Sequence, residues 1–184
     1  ANRSIDLKRE ISDKRGIAAS LFSTSLIYRR ISDYAKAIKY SKESIEIFDE
    51  LNIRMHDTIL KMNLGLYLVF VGKFEEANSN FNEAISISKK MNDFGSLGMC
   101  HRGLGLIYLD QGKWTLSQQE FKRANKYHQK AEHRTAFEAT TVFLGISYFF
   151  EEKYDKAKEF IDKALIITQR RREVSFYDTP AKSA

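Results

Sequence analysis

The sequence predicts an all-α protein, a solenoid of four tandem helical hairpins, and three observations carry that expectation. Helix breakers are nearly absent: the 184 residues hold 9 Gly and 1 Pro, and Pro180 lies among the last few residues. Marker residues return at a fixed interval of forty. Between them, apolar residues recur three and four apart, as in Phe81, Ala84, Ile85 and Ser88, which is a one-sided helical stripe.

The interval is read in four columns. Tyr34, Phe74, Trp114 and Tyr154 are one, and Gly65, Gly105 and Gly145, with Ser25 in the first copy, are the second. Ala37, Ala77 and Ala157 repeat likewise with Ser117 substituting once; Ala84, Ala124 and Ala164 do so with Ser44 in the first copy. Each column has a physical reason. Small residues on both helices of a hairpin let the two backbones approach closely. The aromatic follows a short turn, Gly72-Lys73 or Gly112-Lys113, and is expected to fill the wedge between the two helices. The predicted helix pairs are 13–31 with 34–51, 54–71 with 74–91, 94–111 with 114–131, and 134–151 with 154–171.

The breaks between hairpins are polar (Asn52, Asn92-Asp93, Glu132-His133), and Asn and Asp there serve as helix caps. The units are therefore 13–52, 53–92, 93–132 and 133–173. Shifted by two intervals, Ala84-Ile85-Ser86-Ile87 falls on Ser4-Ile5-Asp6-Leu7, so residues 1–12 read as the remnant of a preceding second helix. The chain then reads as a piece of a longer array. Residues 174–184 are expected to be a tail or partial cap.

At this point the chain resembles the tetratricopeptide repeat family. Leu64-Gly65, Leu104-Gly105-Leu-Ile-Tyr108 and Leu144-Gly145-Ile-Ser-Tyr148 are similar to the Leu-Gly-x-x-Tyr core of that repeat, and Ala77-x-x-x-Phe81 with Ala84 to its second helix. The family's usual repeat is 34 residues; six more lengthen each helix by about three residues, nearly one turn. The Pro that often ends the second helix is missing. The forty-residue form resembles repeats of bacterial signalling and transcription-regulator proteins. The resemblance implies a right-handed superhelical solenoid.

Bulk chemistry narrows the function classes. Net charge is +6 and the pI about 9.3, which raises nucleic acid, anionic membranes or acidic partners. However, the 30 basic and 24 acidic residues are interspersed, and only Arg170-Arg171-Arg172 forms a tight basic run. A mixed, solvated surface disfavours nucleic acid. No apolar stretch approaches the roughly 20 residues that span a bilayer, Leu64 to Val71 being the longest. Cys100 is the single cysteine, so no internal disulfide forms, and a reducing, cytoplasmic compartment is expected.

Catalysis needs a nucleophile, base or metal set converging in a pocket. His56, His101, His128 and His133 do not fall at metal-ligand spacings, and Cys100 and His101, adjacent on a helix, point apart. No enzyme, metal or cofactor is expected.

The resemblance implies a concave face lined by the first helix of each hairpin. The family's groove columns fall here on Phe22, Leu26 and Arg29; on Ile59, Met62, Asn63, Leu66 and Phe70; on Met99, Arg102, Leu106 and Asp110; and on Val142, Ile146, Phe149 and Phe150. The surface is short of charge. Chaperone-binding relatives clamp a carboxylate from these columns with Lys and Asn; with Phe22 and Leu26 in the first repeat that clamp is absent. Asn63 stands where relatives hold a ligand backbone, and Arg102 suits an acidic ligand group. Longer helices also overlap more, and some of these residues then become core. On this reading Leu66→Glu or Phe70→Glu would abolish binding and leave stability nearly unchanged.

The last repeat is apolar nearly all round its second helix: Phe160 and Ile166 replace Glu120 and Lys126, beside Ile161, Leu165 and Ile167. Terminal repeats usually carry a polar outer face. Phe176 and Tyr177 are expected to fold back onto Ile161 and Leu165, or a second copy to pack there through Phe160 and Ile166. The sequence thus favours a protein- or peptide-binding module of a larger signalling or regulatory protein. The alternative is a ligand- or peptide-sensing domain of a transcription regulator.

Overall fold

A computed structural model describes residues 13–177, with the side chains of 13–169. Among these residues there are eight helices and no strand: α1 Lys14–Arg30, α2 Tyr34–Glu50, α3 Asp57–Phe70, α4 Phe74–Met91, α5 Phe94–Asp110, α6 Trp114–Lys130, α7 Arg134–Phe150 and α8 Tyr154–Tyr177. The expected remnant 1–12 and tail residues 178–184 lie outside the described residues, as do the side chains of Arg170–Arg172, Phe176 and Tyr177.

The frame repeats because the same turn is made seven times. Inside each hairpin one residue takes a left-handed backbone: Ser32 (φ 60°), Gly72 (74°), Gly112 (69°) and Glu152 (60°). Between hairpins Asn52, Asn92 and Glu132 do the same at 53–54°. The N–H of the next residue then returns to the carbonyl five residues back, as from Asp33 to Tyr28 (2.9 Å) and from Asp93 to Ser88 (3.0 Å). This closes a helix C-terminus and reverses the chain. Asp33 and Asp93 then cap the following helices through the N–H groups of Lys36 and Ser96, and Asp13 caps α1 through Gly16. Asn52 and Asn92 are thus left-handed turn residues; the side-chain cap is the aspartate.

Two helices differ from expectation. α3 begins at Asp57 rather than 54, and no side-chain cap starts it at His56. α8 does not stop near 171 but runs to Tyr177. One continuous helix carries positions 176 and 177 about 16 Å or more along the axis from Leu165, so the fold-back onto Ile161 and Leu165 does not occur.

The small-residue columns seat rings. A Cβ on Gly65 would lie 2.7 Å from the Phe81 ring, one on Gly103 2.2 Å from the Cζ tip of that ring, and one on Gly105 2.5 Å from Phe121. Phe81 is thus held between its own hairpin and the next. Where Ser replaces Ala, its hydroxyl crosses the seam: Ser44 donates to the Ala18 carbonyl (2.8 Å) and Ser117 to that of Gly105 (3.0 Å).

The aromatic column behaves differently from the wedge expected. Tyr34 stacks on Phe70 (ring centroids 4.6 Å) and Trp114 on Phe150 (5.3 Å), each at the end of the following hairpin's first helix. Tyr154, with no following hairpin among the described residues, is 57% exposed. Each helix packs on its neighbours in sequence, and α5 also packs on both α3 and α7, with no equivalent contact between second helices. First helices α3, α5 and α7 therefore form the inner layer of a right-handed superhelical solenoid, with one core cluster running from Ala37 to Ile107 across hairpin boundaries.

Candidate functional site

The inner layer separates the expected groove residues into three groups. Arg29, Phe70, Asp110 and Phe149 are exposed; Phe22, Met99, Arg102, Leu106, Val142 and Ile146 are half-buried. Met62, Asn63 and Leu66 are buried, at 9%, 8% and 6% exposure. Their expected place on an open groove wall is therefore corrected: α3 is flanked by hairpin 1 and α5, and the lengthened helices close over its middle. Asn63 donates its side-chain amide to the Ile59 carbonyl (2.7 Å) within its own helix, so that donor is occupied.

What stays open lies toward the helix ends. Phe70, Phe149 and Phe150 are each more than half exposed, well beyond what a core aromatic shows. Phe149 meets Phe150 (5.9 Å) and Tyr154 (5.5 Å) edge to face. The rim that Tyr34 and Trp114 build with Phe70 and Phe150 escaped the sequence reading. Its signal is a spacing of thirty-six, broken where Phe74 has Asp110 as counterpart.

Charge is sparse but not absent. Arg29 and Arg30 stand in the last turn of α1. Burial first, and then the charge of Arg29, hold the Arg102 guanidinium below the usual arginine range. The half-concealed Lys61 on α3, by contrast, pairs with Glu83 at 2.7 Å.

Three buried titratable groups of hairpin 3, His101, Glu120 and Cys100, are engaged or sealed off. His101 Nδ1 lies 2.6 Å from a Glu120 oxygen, and Arg123 reaches the other Glu120 oxygen. Glu120 is therefore interior, not on a solvated outer face. Burial, with Asp93 adding, pushes the Cys100 thiol up to about 12, which removes its nucleophilic thiolate at neutral pH. Among the described residues no three potential metal ligands gather, and no helix is long and apolar enough to cross a membrane.

At the C-terminal end Phe160 is half-buried and stacks on Tyr148 (5.4 Å). Leu165 and Ile166 are 55% and 49% exposed. In earlier hairpins the Leu165 column turns toward the next hairpin: Ile85 is buried, and Asn125 donates to Thr141 on α7 (3.1 Å).

Known structures share this architecture. BtubC (BKLC) from P. vanneervenii superposes with a TM-score of 0.73 at 18% identity, covering 98% of this chain and 82% of that one. The apo form of RapI gives 0.74 at 19%, over 87% of this chain and 58% of that one. The nearly identical TPR-like repeats of a Podosopora anserina putative kinesin light chain give 0.67 at 13%, over 92% and 84%. The fold is a TPR-like solenoid. No family model and no curated protein matches the chain. At these identities the TPR-like likeness is one of fold, a helical repeat scaffold.

Proposed function

We propose that this TPR-like scaffold binds an extended protein or peptide segment along the open part of its concave face. The observation that supports the reading is the row of exposed aromatics, Phe70, Phe149 and Phe150, beside half-buried Leu106, Val142 and Ile146. Solvated aromatic clusters of this kind mark interaction surfaces. The module would serve a signalling or regulatory protein in a reducing, cytoplasmic setting, consistent with its one sealed thiol. Peptides selected from a random library on the purified protein test the site. Phe149→Glu should weaken their binding more than about tenfold while stability changes by about 1 kcal/mol or less, as at an exposed position. Selected peptides that bind the variant as tightly would place the site elsewhere. Leu66→Glu is not a usable probe, because a carboxylate at a 6% exposed position should unfold the second hairpin.

We also propose that the open face of α8 receives a second copy of this chain through Leu165 and Ile166, with half-buried Phe160 earlier on the same helix. The support is continuity at Leu165: its column turns toward the next hairpin at Ile85 and at Asn125, and exposed Ile166 stands beside it. Sedimentation should then show a dimer that Ile166→Glu returns to monomer. A native protein that stays monomeric at every concentration would remove this interface.

A further inference from the structure

We propose that the ring cluster of Trp114, Phe149, Phe150 and Tyr154 holds an arginine side chain of the peptide bound on the concave face. The inference rests on the groove reading and names the residue that the fourth hairpin selects. Phe149 stands edge to face with both Phe150 (76°) and Tyr154 (64°), and Trp114 stacks on Phe150 (16°). The cluster therefore presents rings in more than one direction, and Phe149, Phe150 and Tyr154 each stay more than half exposed. The face of an aromatic ring carries partial negative charge and attracts a cation.

Elsewhere the chain supplies that cation itself. Lysines lie over the rings of Tyr28, Tyr40, Phe94, Phe137 and Tyr148, 5.0–6.0 Å from the centroids. Among the described residues none lies over a ring of the cluster, although three lysines stand close in sequence. Lys113 turns to Gln111 (2.8 Å), Lys153 to Glu151 (2.7 Å) and Lys156 to the Tyr148 ring (5.6 Å). Glu152 and Asp155 flank Tyr154, are exposed, and form no ion pair among the described residues. The charge left free beside the cluster is therefore negative, and the uncovered rings add to it. A guanidinium suits both features, because its plane stacks on a ring while its N–H donors reach a carboxylate. A nucleic acid would instead bring phosphates against the same carboxylates.

Trp114 is the single tryptophan, so its emission reports on this cluster alone. The probe is a peptide with Arg spaced among Leu and Ser residues; its twin carries citrulline, the uncharged isostere, at each Arg. The Arg peptide should change the Trp114 emission and bind at least about fivefold more tightly than the twin, the scale of a cation on a ring. Phe149→Leu and Tyr154→Leu keep apolar bulk but remove a ring, and each should bring the two affinities together. Both positions are exposed, so both variants should melt with the native protein. No binding of the Arg peptide, equal binding of the two peptides, or an Arg preference kept by either folded variant overturns the proposal. Tighter binding of a single-stranded oligothymidine than of the Arg peptide overturns it as well. If the two peptides bind equally while library-selected peptides still lose affinity in Phe149→Glu, the groove stands and only the arginine subsite falls. Selected peptides that ignore Phe149→Glu would instead remove the groove reading itself.

Discussion

Hairpins 1 and 3 occupy the same forty-residue frame and fill it in opposite ways. In hairpin 3 the glycines are on α5 and the rings on α6: Gly105 lies against Phe121, and Gly98 against His128, whose Nδ1 would be 2.4 Å from a Cβ there. In hairpin 1 the corresponding pairs are Ser25 with Ser41 and Ala18 with Phe48. The first seam has lost its ring, and the second keeps a ring of purely apolar character. Ser44 then ties the two helices of hairpin 1 by its bond to Ala18, while Ser117 ties those of hairpin 3 to Gly105. The spacing of two helices is thus held by the total volume in a seam and one crossing hydroxyl, and several residue combinations satisfy it.

The comparison breaks most visibly at the ring that one hairpin has and the other lacks. Phe121 is fully buried, and Phe121→Ala should cost about 3–5 kcal/mol, the range for a large aromatic deleted from a packed core. Ser41 is equally buried, but its hydroxyl has no partner. Ser41→Ala should therefore change stability by about 1 kcal/mol or less, in either direction. Urea unfolding of the two variants measures both. Losses of similar size would mean that Ser41 carries as much of its seam as Phe121 does, and the contrast between the hairpins would be wrong.

The same contrast shows what could be read in advance. Period, helix pairing and the small-residue columns are local patterns, and seven of the eight helix starts fall within a residue of their predicted places; α3 is the exception. Which groove residues are open depends on neighbours that a pattern does not name. Asn63 looks like a ligand-binding amide by its column, yet that column holds Gly103 in the next hairpin, pressed under the Phe81 ring. It is a packing column, and its polar occupant turns back to its own helix. That the charge of Arg29 reaches Arg102 was not legible either, because it needs the relative placement of α1 and α5. The length of α8 was missed for a simpler reason: between Arg172 and Pro180 the sequence carries no Gly or Pro to stop a helix.

The second seam gives a smaller effect that pH isolates. His128 is fully buried and neither ring nitrogen has a partner. Gly98 lies against its ring, the His133 ring is 6.2 Å away edge-on, and Arg102 adds a positive charge from α5. Burial first, then Arg102 and His133, press its pKa from 6.5 down to about 4. A depressed histidine is neutral in the folded state while the unfolded chain takes up a proton, so unfolding binds protons between these two values. Stability is then fully present above about pH 6.5, falls as pH drops through the window, and levels off below about pH 4. The shift corresponds to roughly 2–4 kcal/mol at the lower limit. His128→Phe, which places in hairpin 3 the residue that hairpin 1 has at position 48, should remove that slope, and His128→Leu should do the same if the larger ring does not fit. Carboxylates such as Asp33, Glu76 and Glu151, held low mainly by lysine side chains, titrate in native and variant alike and cancel in the difference. Urea unfolding at pH 7, 6, 5 and 4 supplies the measurement. Parallel curves for the native protein and both variants would mean that His128 finds a proton acceptor or water when folded, and the two second seams would then be alike in character.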